Sequence, residues 1–220
     1  MDTKEFLKEN VKYPRSWWFF MVLWLLLGGM AWYLEVDHSI FKKVNSWVDN
    51  IPYEWVIVIT HMGSFYFIAA LILVFLWFYR PFPKFVITLL AATQILPLIL
   101  VQIGKQLYNA PRPFTVYGEE LWFKKVPEVW GHAQSHWLGF PSGHTEGIAA
   151  LFSFIVLLAP SRDKQLWVTI GIVNIALVAF SRLYLSQHFF VDIWVGGVIG
   201  LWSGALVYII YNAWAKKRIY

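Results

Sequence analysis

The sequence predicts an all-α polytopic membrane protein with six transmembrane helices, and three observations predict it. Of its 220 residues, 59% are hydrophobic and only 14% are charged, more apolar mass than a soluble domain ordinarily carries. Residues 17–34, WWFFMVLWLLLGGMAWYL, form an uncharged run long enough to cross about 30 Å of hydrocarbon at about 1.5 Å per residue. Aromatic rings stand at both ends of the first two spans, Trp17 and Trp18 with Trp32 and Tyr33, then Trp55 with Trp77 and Tyr79, as anchoring at the two interfaces requires.

Taken in order, the first run is no cleaved signal, because no small-residue cleavage pattern follows it and further spans come after. The remaining spans are expected at 55–79, 85–104, 143–159, 166–184 and 189–214, each bounded by charged or turn residues. No internal repeat or low-complexity tract divides the chain, so residues 1–220 read as a single domain. Assigning the 18 Lys and Arg to alternate sides puts the larger share, 11 against 7, with the N-terminus. The positive-inside bias therefore puts both termini in the cytoplasm. A net charge of +5 suits contact with anionic headgroups. With no cysteine, disulfide scaffolding and thiol catalysis are excluded.

The longest break between spans, Lys105 to Ser142, and the turn before the last span hold the unexpected polar chemistry. In KQLYNAPRPF, Lys105 ends a helix, and Pro111 and Pro113 restrict the backbone around Arg112. Seven positions share a helix face, but Pro111 interrupts the helix, so the two cations are expected to converge from a helix end and a loop. In PSGH, Ser142 and Gly143 suit a turn entering a helix, whose free N–H groups and dipole favour an anion. His144 then lies on the first turn beside that anion. In SRLYLSQHFFVD, Arg182 closes an apolar helix, a position that marks a site or a side chain reaching for water. His188 and Asp192 are four apart and share a face at the start of the last helix. A carboxylate there fixes the imidazole tautomer and leaves the other nitrogen as nucleophile or base. Alternating topology brings Lys105, Arg112, Ser142, His144, Arg182, His188 and Asp192 to one membrane face, a set suited to a phosphoryl group in flight.

These motifs, Lys105-x6-Arg112-Pro113, Pro141-Ser142-Gly143-His144 and Ser181-Arg182-x5-His188-x3-Asp192, resemble in order the K-x6-RP, PSGH and SR-x5-H-x3-D pattern of the type 2 phosphatidic acid phosphatase (PAP2) family. The resemblance implies a PAP2-type helical bundle and an integral membrane lipid phosphatase. By it, His188 attacks phosphorus to form a phosphohistidine and Asp192 orients it. His144 protonates the leaving oxygen and then activates water. Lys105, Arg112, Ser142, Gly143 and Arg182 hold the phosphate oxygens. No metal or other cofactor is implied, because the cations supply the electrostatics. The implied partners are the bilayer and a membrane lipid phosphate, with no nucleic acid. Six spans argue against the family's soluble, vanadate-binding branch. Candidate substrates are undecaprenyl diphosphate, phosphatidylglycerophosphate, phosphatidic acid and the lipid A phosphates. The expected setting is a bacterial inner membrane, with the site extracytoplasmic.

Several polar residues lie outside the pattern. Glu146, two residues past His144, is expected to contact a substrate hydroxyl or to tune His144, unless it only complements the helix dipole. His132 and His136 have i, i+4 spacing, but no third metal ligand stands near them, and loop histidines are the expectation. His61 and Ser64 are expected to hydrogen-bond between helices. Trp122, Phe123, Trp130 and Trp137 either line the lipid's path or rest on the interface, and the second is expected. A transporter or channel is the alternative class, but its charges should be spread through the bilayer depth rather than gathered at one end.

Overall fold

The computed structural model describes residues 11–78, 85–126 and 136–219. Its regular elements are helices; one isolated bridge pairs Val48 with Ile51. Helix α1, Arg15–Tyr33, buries Trp17, Met21, Gly28 and Ala31, a seam at helical spacing. Phe19 and Leu26 on its other faces are exposed, the surface a bilayer covers. A short amphipathic helix that hydropathy did not announce, α2 (Asp37–Asn45), follows and buries Phe41, Val44 and Asn45.

The second expected span is not one straight helix. It divides into α3, Tyr53–His61, and α4, Phe65–Phe78, bent by 56°. Residues 62–64 supply the break: Ser64 Oγ accepts the Phe67 N–H at 3.4 Å, starting the new helix. Gly63 packs so closely on the helix that begins at Gly143 that a Cβ there would lie 2.9 Å from the Cβ and carbonyl oxygen of His144. Ser64 is thus a cap rather than an interhelical bridge, and His61 is exposed.

Helix α5, Phe85–Tyr108, carries Pro97 inside it and runs one turn past its expected end. The chain then passes through Asn109, in the left-handed region at φ 38°, into the short α6, Pro113–Tyr117. After the loop come α7, Gly143–Leu158, α8, Lys164–Tyr184, and α9, Phe190–Ile219. Four of these segments are long and apolar enough to cross a membrane alone, and five if α3 with α4 is one bent span. Helix α7, at 16 residues, is shorter than a single straight crossing ordinarily needs. Instead it is apolar all round and buried from Ile148 to Leu158, as expected of a helix surrounded by others.

Packing around α7 depends on missing side chains. Gly196, Gly200 and Gly204 recur every four residues on α9. A Cβ on Gly196 would meet the Ser142 carbonyl, one on Gly200 would meet Ala149 Cβ at 2.8 Å, and one on Gly204 would meet Ser153 Cβ at 2.6 Å. Small residues at this interval let two backbones approach closely. At the other end of α7, the buried Lys164 ammonium donates to the carbonyls of Val156 at 2.9 Å and Leu157 at 3.1 Å, satisfying carbonyls the helix end leaves open.

A second apolar cluster lies at the site end, where Phe41 and Val44 of α2 meet Phe123, Leu183, Tyr184 and Phe189. Phe123 is therefore buried rather than resting on an interface, while Trp137 is half exposed. Trp130 and His132 lie outside the described residues.

Candidate active site

Four helix ends converge. Lys105 is in the last turn of α5 and Arg182 in the last turn of α8, where the helix dipole favours cations. The first turns of α7 and α9 bring His144 and Asp192. His188 precedes α9 rather than starting it. Its turn is made as the Leu185, Gln187 and His188 N–H groups fold back on the carbonyls of Ser181 and Arg182, with Ser186 in the left-handed region at φ 55°.

One backbone bond ties the second motif to the third: the Ser142 N–H donates to the Asp192 carbonyl at 2.9 Å. Gly196, one turn along α9, permits this approach because any Cβ there would strike Ser142. Pro141 fits the end of α5 for a similar reason, since a Cβ on Gly104 would come within 2.8 Å of Pro141 Cδ. Ser142 is the N-cap of α7, yet its side chain makes no capping bond and Oγ pairs with Thr145 Oγ1 at 3.1 Å. The first N–H groups of α7 are thereby left to an outside acceptor.

The cations are held by carbonyls and neutral side chains rather than by carboxylates. Lys105 Nζ donates to the Leu138 carbonyl at 2.6 Å. Arg112 donates through Nε to the Trp137 carbonyl at 3.0 Å and through Nη1 to Gln187 Oε1 at 2.6 Å. Arg182, 5% exposed, donates through Nη1 to Thr60 Oγ1 at 2.8 Å, and its buried Nε has no partner among the described residues. Three guanidinium or ammonium groups with no carboxylate ion pair among the described residues, beside an uncapped helix N-terminus, make a site for an oxyanion.

His188 is 2% exposed. Burial pushes its imidazole well below the ordinary range, and Arg182, Arg112, Lys105 and His144 push it further, so it stands neutral at neutral pH. Its Nδ1 lies 3.5 Å from Asp192 Oδ2, within ion-pair range but not aligned as a hydrogen bond. The same carboxylate oxygen accepts the Phe189 N–H at 2.9 Å. Catalytic hydrogen bonds are often long in a ligand-free site and shorten when substrate binds.

Lys105, Arg112, Ser142, His144, Arg182, His188 and Asp192 are therefore linked to one another by bonds or mutual electrostatics. Glu146 is buried one turn into α7. Its carboxylate has no hydrogen bond or ion pair among the described residues, and its carbonyl oxygen faces Gly200. Thr60 and Gln187, which hold Arg182 and Arg112, carried no motif. His136 is taken up by Thr115, whose Oγ1 donates to its carbonyl at 2.8 Å. No cluster of three metal-ligating side chains occurs among the described residues.

Known proteins resemble the chain over most of its length. A family profile described as the PAP2 superfamily matches residues 84–216. The chain is 28% identical over 193 residues to a lipid A 4'-phosphatase of Porphyromonas gingivalis, covering 86% of this chain and 78% of that protein. It is 25% identical over 152 residues to an undecaprenyl-diphosphatase of Sulfolobus acidocaldarius, covering 69% and 66%. The crystal structure of Aquifex aeolicus LpxE superposes with a TM-score of 0.59 at 25% identity, over 78% of this chain and 94% of that one. That of a transmembrane PAP2 type phosphatidylglycerolphosphate phosphatase from Bacillus subtilis gives 0.60 at 25% identity, over 91% and 96%. With apolar spans, three ordered motifs and a profile covering more than half its length, the chain belongs to the PAP2 superfamily.

Proposed function

We propose that the chain is an integral membrane lipid phosphatase that hydrolyses a phosphomonoester or diphosphate headgroup through a phosphohistidine on His188. The observation that carries this reading is a neutral, buried His188 beside Asp192, facing three cations and the uncapped start of α7. In the first step an N–P bond forms at His188 and the P–O bond to the lipid breaks, with His144 giving its proton to the departing oxygen. In the second, His144 takes a proton from water, the water oxygen bonds to phosphorus, and the N–P bond breaks to release inorganic phosphate. Asp192 stabilises the charge that His188 gains. Lys105, Arg112 and Arg182, with Ser142 and the Gly143 N–H, bind the equatorial oxygens and supply the electrostatic stabilisation without a metal.

The same reading takes the bundle as six crossings, with α7 as a short interior span, in a single domain of a bacterial inner membrane. Both termini are cytoplasmic and the site is extracytoplasmic, where the phosphate stays at the interface and the tail stays in the bilayer. Glu146 is assigned to a substrate hydroxyl or to His144. The alternative, an anion transporter, has little support because the charged motif residues cluster at helix ends.

The relatives act, by their names, on lipid A, undecaprenyl diphosphate and phosphatidylglycerolphosphate, so these three with phosphatidic acid form the test panel. Purified protein should release inorganic phosphate from at least one of them, and His188→Ala should abolish that release. Release by His188→Ala at the unsubstituted rate contradicts the assignment. Glu146→Gln should change either the ranking of the lipids or the pH profile, and an unchanged ranking and profile would remove Glu146 from the site.

A further inference from the structure

The turn entering α9 is capped from within by Asp192, whose Oδ2 takes the Phe189 N–H at 2.9 Å. The N–H groups that follow are met from elsewhere. Asp37, the first residue of α2, accepts the Val191 N–H on Oδ1 at 3.0 Å, within electrostatic reach of the Phe190 N–H. It lies 154 positions away in sequence and outside the family-matched residues 84–216. Its neighbour His38 packs edge-on against Phe189, centroids 4.8 Å apart, and pairs through Nδ1 with Tyr117 Oη at 2.7 Å. Phe41, one turn further along α2, meets Phe189 at 5.4 Å and stacks on Tyr117 at 5.9 Å. Helix α2 thus grips the residue after His188, and through Tyr117 the short helix that follows Arg112.

We propose that Asp37 is a positioning residue for the phosphoryl-accepting histidine, a carboxylate on α2 that caps α9 from the side and so fixes the turn bearing His188 and Asp192. This rests on the reading of His188 as the acceptor. The physical reason is competition. Unsatisfied N–H groups at a helix start attract any nearby carboxylate or phosphate. Without Asp37, the Phe190 and Val191 N–H groups draw on Asp192, the nearest acid, and pull it from His188 Nδ1. With Asp37 in place, Asp192 is left to Phe189 and His188 alone.

The test uses the full chain in detergent or nanodiscs, with Asp37→Ala, Asp37→Asn and His188→Ala assayed beside the unsubstituted protein on whichever panel lipid it hydrolyses. Asp37→Ala should lower kcat at least tenfold with KM changed less than about threefold, at a temperature well below its thermal midpoint, because positioning is spent in the reacting complex. Asn caps helices about as well as Asp, so Asp37→Asn should recover most of kcat. Orthovanadate, whose five-coordinate adduct on a histidine needs the imidazole well placed, should inhibit Asp37→Ala at least tenfold less well, whereas product inhibition by inorganic phosphate should shift less. If Asp37→Ala does not fold, Asp37→Ser, too short to reach α9, takes its place with the same expected split. Unchanged kcat and vanadate inhibition in the folded variant overturn the proposal. So does a loss shared equally by the Ala and Asn variants. An active His188→Ala instead overturns the underlying assignment, which separates the two failures.

Discussion

His188 shows how a residue's surroundings set its chemistry. A histidine in water is partly protonated near neutral pH, but burial and three cations hold this one neutral, the form that can attack phosphorus. The same depression has a thermodynamic cost. Between the folded value and the ordinary value of 6.5, the unfolded chain binds a proton that the folded chain does not, so stability rises with pH in that window. The contribution is fully present above about pH 6.5 and is lost as pH falls toward the folded value. The thermal midpoint of the substrate-free protein should therefore drop on acidification below about pH 6.5, and His188→Gln should flatten that limb. An identical slope in the variant contradicts the assignment. At this scale most of the proposed site was legible, because Lys105, Arg112, Ser142, His144, Arg182, His188 and Asp192 belong to motifs whose chemistry needs those residue types. Thr60, Gln187 and Asp37 were not legible. Each is an ordinary polar residue whose role arises only when a distant segment arrives, as Thr60 does 122 positions from Arg182.

Elements turn these residues into a site by ending at the same place. Hydropathy located the helices within a few residues because an apolar run in a bilayer must close its own backbone hydrogen bonds. It missed the 56° bend after His61, since Gly63 and Ser64 interrupt the run without adding charge, and it missed α2, whose polar face hides its apolar one. The glycines at 196, 200 and 204 were visible in the sequence, but their meaning lies in what they face. Gly200→Leu should overpack the α7–α9 contact and destabilise the protein by about 1–3 kcal/mol, seen as a lower thermal midpoint. The mechanism is steric, so Gly200→Ala should cost less than Gly200→Leu, although even its Cβ would sit 2.8 Å from that of Ala149. Equal stability of both variants with the parent would mean that α7 and α9 stand further apart than the structure has them.

At the scale of the bundle, the arrangement gathers the motif cations with His144 and His188 at one end. The extracytoplasmic side proposed for this end rests on charge balance, and the absence of cysteine makes it simple to test. In intact cells a membrane-impermeant maleimide should label Leu121→Cys, placed at the fully exposed Leu121 near the site end. It should label Arg162→Cys, between α7 and α8, only after permeabilisation, and the reverse pattern would invert the orientation. The central claim is chemical, and rapid quenching of the purified protein during turnover of a phosphate-labelled lipid reaches it most directly. Digestion at alkaline pH, where phosphohistidine survives, should find the label on the peptide carrying His188 and none in His188→Ala. An enzyme that turns over at full rate with no label on that peptide, or with the label on another residue, would contradict it.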